Sequence, residues 1–206
     1  MRAVIVDEVD RLRALLEKND VVHQILVRVQ SLRLPDWCLG AGCIAQTVWN
    51  AGHGFELNDN IQDYDLAYFD STDLSEAAED RCVTSVRSIL RDLGVVIDVK
   101  NEARVHLWYE NRFGQAIRPY HSIEDAIGSW PTTATSIGVR REENESLTVI
   151  APFGLSDLFS MIVRPNKKQL DYFLTGDQST SREVYSQKSR KWAKSWPKLV
   201  VVPWDG

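Results

Sequence analysis

Asp63 and Asp65 stand two residues apart in the stretch IQDYDLAYFD at 61–70. In an extended strand the period of two puts both carboxylates on one face and sends Tyr64 to the other. Two like charges converging in apolar surroundings repel unless a cation compensates them, and hard oxygen ligands suit Mg²⁺ or Mn²⁺ held jointly with substrate phosphates. The plainer alternative is an acidic strand end in water. Asp98 interrupts VVIDVK at 95–100. An acid among β-branched residues needs a partner or a metal if the strand is buried, and needs neither if that position faces outward. Upstream, LGAG at 39–42 leads into CIAQTVWNAG. A glycine turn opening a helix offers backbone N–H groups and the positive end of the helix dipole to phosphate, although a tight turn or close strand-to-helix packing needs glycine equally.

The elements that must carry these residues follow from periodicity. EVDRLRALLEK at 8–18 has Val9, Leu12, Leu15 and Leu16 at helical spacing, and a second helix runs through Val22, Ile25 and Leu26. Trp37 to Leu39 predicts a short strand and the residues after Gly42 a helix. Residues 53–60 read as an exposed loop and 61–70 as a strand. SEAAEDRCVTSVRSILRDL at 75–93 has a Ser cap, early acids and an ending Gly94, the marks of a helix; VVIDV at 95–99 then reads as a strand. Beyond it the sequence predicts a helix near 122–130, strands around 135–140 and 146–151, and a helix near 155–163 stopped by Arg164-Pro165. From Pro165 the chain turns polar and basic, through SREVYSQKSRKWAKSW to the apolar LVVVPW. We read 1–206 as one domain, with 166–206 as a C-terminal appendage made of a peripheral helix and strand.

Bulk properties exclude several classes. A 206-residue chain that is 44% hydrophobic and 26% charged can build its own core without disulfides or structural zinc. The net charge of −5 argues against a surface dominated by nonspecific nucleic-acid binding. Cys38, Cys43 and Cys82 have no C-x-x-C spacing and read as reduced thiols. His23, His53, His106 and His121 are scattered without zinc-ligand spacing. No apolar run reaches the ~20 residues of a membrane span. These features set the expectation of a cytoplasmic protein without membrane partners; the oligomeric state is left open.

The glycine turn at 39–42, the acid pair of Asp63 and Asp65, and the third acid Asp98 resemble, in that order, the polymerase-β-like nucleotidyltransferase superfamily. More narrowly, GAGCIAQTVWN, DYDLAYFD, KNEARVHLWYENRFG, WPTTATSIGVR and APFGLSDLFSMIVRPN resemble a bacterial nucleotidyltransferase family once grouped as a domain of unknown function, over residues 35–167. Two departures from the superfamily pattern stand out: alanine separates Gly40 from Gly42, and twenty residues lie between Gly42 and Asp63. The narrower family shares both.

The resemblance implies an α/β (α+β) nucleotidyltransferase fold, a mixed β-sheet flanked by helices. It implies that Asp63, Asp65 and Asp98 are catalytic and hold Mg²⁺ or Mn²⁺, Asp98 also drawing the proton from the acceptor hydroxyl. Gly40 and Gly42 would grip triphosphate, with Lys100 and Arg104 lining the same cleft. The reaction would move NMP from an NTP to an acceptor hydroxyl on a small molecule or RNA. Two rivals keep the same fold: a nucleotide-binding or interaction module without turnover, and a toxin-like tRNA nucleotidyltransferase that uses the basic C-terminal segment. The Thr132 to Thr135 run reads as a self-capping turn, Arg140 and Arg141 as strand-end charges of which one at most faces a cleft, and the late tryptophans as packing residues.

Overall fold

The computed structural model describes residues 2–175 and 177–205. Helices α1 (Arg2–Lys18) and α2 (Asp20–Gln30) open the chain. Asn19 separates them by capping α2, its side chain accepting from the Val22 amide at 3.1 Å, which satisfies a donor left over at a helix start. Val22, Ile25, Leu26 and Val29 form the buried stripe of α2. There follow β1 (Cys38–Gly40), α3 (Gly42–His53), β2 (Tyr64–Tyr68), α4 (Glu76–Leu90) and β3 (Ile97–Asn101). Ser75 caps α4 as expected, and Gly94, at φ +64°, turns the chain from the 3₁₀ turn Arg91–Leu93 toward β3.

The second half contains α5 (Val105–Phe113), α6 (Ile123–Gly128), β4 (Gly138–Arg141), β5 (Leu147–Ile150), α7 (Ser156–Phe159), β6 (Ile162–Val163), α8 (Ser179–Ser195) and β7 (Val200–Val201). The helix expected over 155–163 is cut to α7. Met161, at φ +55°, reverses the chain, and the β-branched Ile162 and Val163 pair with Val200 and Val201 in a small parallel sheet. No periodicity signalled α5, whose only buried residue is Val105.

The main sheet runs β3-β2-β1-β4-β5. β2 and β3 are parallel, with α4 as their crossover, and the other pairs are antiparallel. Leu39, Tyr64, Leu66, Tyr68, Ile97 and Val99 belong to the core shared with α1 to α4. Alternation sends Asp65, Ala67, Asp98 and Lys100 to the other face. There Cys38 and Ala67 meet Ile123 and Ile127 of α6, while the acidic end of β2 and β3 stays uncovered by α6. The chain returns in α8 to close that end. Trp192 and Trp196 pack edge-on against Trp49, with ring centroids 5.5 and 5.6 Å away, and the Trp196 indole N–H donates to Asn50 Oδ1 at 2.7 Å. Tyr185 staples the small sheet, its single hydroxyl proton shared between the carbonyls of Val163 and Val202.

Candidate active site

A cavity of about 340 Å³ lies between the acidic end of β2 and β3, the start of α3, the Trp130-Pro131 corner and α8, within the usual range of ~300–1,000 Å³ for small-ligand sites. Asp63, Asp65 and Asp98 all line it. The register explains why: Asp65 is paired directly with Asp98 across the parallel strands, and with Gly40 on its other side. Asp63 precedes β2 and is exposed at the mouth. Among the described residues no three carboxylate, imidazole or thiol side chains form a ready-made metal cage; the three acids share a cavity without closing on one point.

Their electrostatics show a surplus of negative charge. Burial, then the neighbouring Asp63 charge, pushes the Asp65 carboxyl up to about 6; Lys188 and Lys100 pull it back and Asp98 adds to the rise. Lys100 donates to Asp98 Oδ1 at 2.8 Å and lines the cavity beside it, the pair remaining partly open to solvent. Glu102, which sequence reasoning passed over, also lines the cavity at 8% exposure. Burial and then Asp65 push its carboxyl up to about 8, which leaves it largely protonated at neutral pH. Its only signal in the sequence was an acid four residues beyond Asp98, on the same side as the acid pair.

The glycine turn divides the labour differently from expectation. Gly40 is buried and does not line the cavity: a Cβ there would stand 2.7 Å from the Trp130 ring and 2.9 Å from the Ile137 carbonyl oxygen. It is glycine so that Trp130 can close over β1. Ala41 lines the cavity, but it takes φ +54° and ψ −122° and its amide donates to Ile137 O at 2.9 Å, so that amide is already engaged. Gly42 does line the cavity, as the first residue of α3. No side chain caps α3, so the helix end that opens on the cavity at Gly42 keeps amides without a side-chain acceptor, with the helix dipole behind them. Gln46, one turn on, lines the cavity at 8% exposure with its Oε1 lacking a partner among the described residues.

Arg104 lies elsewhere. It donates to the Leu74 carbonyl and pairs with Glu79, both side chains about 12–13% exposed, and it does not line the cavity. Thr132 and Thr135 bond each other at 2.7 Å, and Arg140 and Arg141 pair with Glu142 and Glu145. The 166–206 segment reaches the site: Lys188, Lys191, Trp192, Ser195 and Trp196 form one wall. Sequence reading noted the basic run but missed that Lys188, Lys191 and Trp192 share one helical face.

Comparison with known proteins decides the family. A nucleotidyltransferase family model matches residues 27–201. The chain belongs to that nucleotidyltransferase family. This nucleotidyltransferase also superposes, with a TM-score of 0.73 and 23% identity over 93% of its length and 95% of the other chain, on a protein whose NMR structure is described as revealing a CCA-adding enzyme head domain. A tRNA-processing enzyme in an apo form aligns over 82% of this chain and 50% of the other, with 14% identity and a TM-score of 0.36. No curated protein sequence matches. The fold is therefore that of a nucleotidyltransferase, the mixed sheet flanked by helices that the sequence implied. No helix among the described residues is long and apolar enough to cross a membrane.

Proposed function

We propose that this nucleotidyltransferase transfers NMP from an NTP to an acceptor hydroxyl with the help of Mg²⁺ or Mn²⁺, at the cavity lined by Asp63, Asp65 and Asp98. The observation that carries this reading is the register that sets Asp65 beside Asp98, with the free start of α3 opening on the same cavity. Oxygen donors carrying surplus negative charge fit a hard divalent cation, whereas the described histidines and cysteines contribute nothing to the cavity lining. Asp63 and Asp65 would hold the metal and Asp98 would complete the set. Such an ion, once bound, supplies charge neutralisation at the phosphate under attack.

The protein's own groups supply the rest. The leading amides of α3 hold phosphate oxygens. Lys100 keeps the Asp98 carboxylate oriented along β3, and Asp98 accepts the proton of the acceptor hydroxyl as that oxygen attacks the α-phosphate and pyrophosphate leaves. Walls of Trp130, Trp192 and Trp196 restrict water, which strengthens every charge interaction inside.

The test is calorimetric titration of each NTP with and without Mg²⁺, on the native protein and on Asp63→Ala/Asp65→Ala. Metal-dependent binding confined to the native protein supports the reading. Equal binding by the double variant would place the nucleotide elsewhere.

A further inference from the structure

The cavity has an acidic wall and a basic one. The acidic wall is β2, β3 and the residue before β2. The basic wall is α8, whose Lys188 and Lys191 line the cavity and, spaced three apart, lie on one helical face. Trp192 on that face is locked against Trp49, and Trp196 is tied to Asn50 of α3 by a buried hydrogen bond of 2.7 Å. The lysine stems therefore rise from a helix face anchored to α3.

Their present contacts leave both charges available. Lys100 is engaged by the Asp98 carboxylate. Lys191, in contrast, donates to the neutral Gln62 side chain at 2.7 Å, and Lys188 lies 5.8 Å from the centroid of the Trp192 ring. Both lysines are solvent-exposed on their outer side, so neither carries a large desolvation cost.

A nucleoside triphosphate entering a cavity that already holds four carboxyl groups, in a chain of net charge −5, brings further negative charge. A metal held by the acids would compensate part of that charge near the reaction centre. The far end needs cations of its own, and ammonium groups on flexible stems are suited to it because they act as mobile point charges. We propose that Lys188 and Lys191 hold the β- and γ-phosphates of the NTP, so that α8 is the polyphosphate-binding half of the site. This rests on the nucleotidyltransferase reading above. It gives the basic C-terminal segment a role inside the cavity in place of a role in gripping an RNA acceptor. An RNA backbone needs a row of cations along an open surface, whereas these two stand together at the rim of one cavity.

Inorganic tripolyphosphate with Mg²⁺ isolates this interaction, because it has neither base nor sugar. It is titrated into the native protein, Lys188→Ala/Lys191→Ala, the single variants Lys188→Met and Lys191→Met, Asp63→Ala/Asp65→Ala, and Lys194→Ala, which changes the same charge on α8 outside the cavity lining. The expected result is tripolyphosphate affinity at least tenfold weaker in the double lysine variant, intermediate in the single variants, and within twofold of native in Lys194→Ala, with melting temperatures unchanged. Native affinity in the double lysine variant, with binding lost only in the double aspartate variant, overturns the lysine assignment and leaves the nucleotidyltransferase site standing. Failure of the native protein to bind either tripolyphosphate or any NTP overturns both. Loss of affinity for a model RNA hairpin in the double lysine variant, with tripolyphosphate binding intact, reassigns the wall to the acceptor.

Discussion

Asp65 and Asp98 face each other across a parallel strand pair with Lys100 two residues beyond Asp98, its ammonium on the Asp98 carboxylate at 2.8 Å. One lysine thus answers one of two adjacent acids, and Asp65 is left under the influence of burial and of Asp63. In the metal-free protein this is a standing cost. Because the folded-state carboxyl ionises at about 6 instead of its usual 3.8, the cost grows as pH rises between those values and is fully present above them. Asp65→Asn should therefore raise stability in EDTA at pH 7.5 by about 1 kcal/mol, roughly 2–4 °C in melting temperature for a chain of this size. The same variant should gain nothing from added Mg²⁺ and NTP, which are expected to raise the native melting temperature. A thermal scan in both buffers checks the two halves together.

Glu102 makes the pH dependence sharper. Its carboxyl is raised from 4.5 to about 8 by burial and by Asp65, so the folded protein holds a proton that the unfolded chain has released. Its contribution to stability is complete below pH 4.5 and is lost as pH climbs toward 8. Glu102→Gln, which mimics the protonated form, should be more stable than native at pH 8 by on the order of 1–3 kcal/mol and show a flatter urea-stability profile between pH 5 and 8. Parallel profiles for the two proteins would show that Glu102 ionises normally.

The glycine turn supplies opposite predictions at neighbouring positions. Ala41 is held at φ +54° and ψ −122°, a conformation costing a non-glycine residue roughly 1–3 kcal/mol, against which glycine loses about 0.4–1 kcal/mol through the unfolded chain. Ala41→Gly is thus expected to stabilise by about 1 kcal/mol. Gly40→Ala should destabilise by roughly 1–3 kcal/mol, because its new methyl meets the Ile137 carbonyl oxygen, a backbone atom that cannot swing aside. Urea denaturation of the pair decides both.

Arg104 is expected to matter for stability and little for the substrate. Removing its guanidinium leaves Glu79 as a largely buried carboxylate held by the Asn101 amide alone. Arg104→Met should cost roughly 3–5 kcal/mol, while NTP affinity, measured at a temperature where the variant is folded, stays within about twofold of native. A tenfold loss of affinity at full folding would bring Arg104 back into the site.

The shared face of Asp65 and Asp98 was legible because strand alternation fixes which face each side chain takes, and the register of β2 against β3 brings the two side by side, whereas Asp63, expected within a strand over 61–70, lies before β2. The capped helices were legible for a similar reason: Ser75 and Gly94 act on their own neighbours in sequence. What was hidden is whatever depends on contacts distant in the chain. Gly40 looked like a phosphate residue because nothing local announces that Trp130 packs on it. Arg104 looked available because its partner Glu79 lies on another helix. The α7 region read as one long helix because the reversal at Met161 is enforced by the pairing of β6 with β7 rather than by a local glycine. Glu102, Lys188 and Lys191 carry no motif; only the closing of α8 over β2 and β3 makes them neighbours.

The docking of Trp196 on Asn50 ties α8 to α3, and so it also sets an order of assembly. The acidic wall is encoded within 63–102 and the basic wall within 188–191, so a chain emerging from the ribosome presents the acids proposed to hold a cation long before the lysines proposed to grip a polyphosphate. Contacts of such sequence separation form late. Nucleotide affinity in a refolding experiment should accordingly appear together with the burial of the Trp49, Trp192 and Trp196 cluster, as a final cooperative step, and not with the earlier gain of helix and sheet.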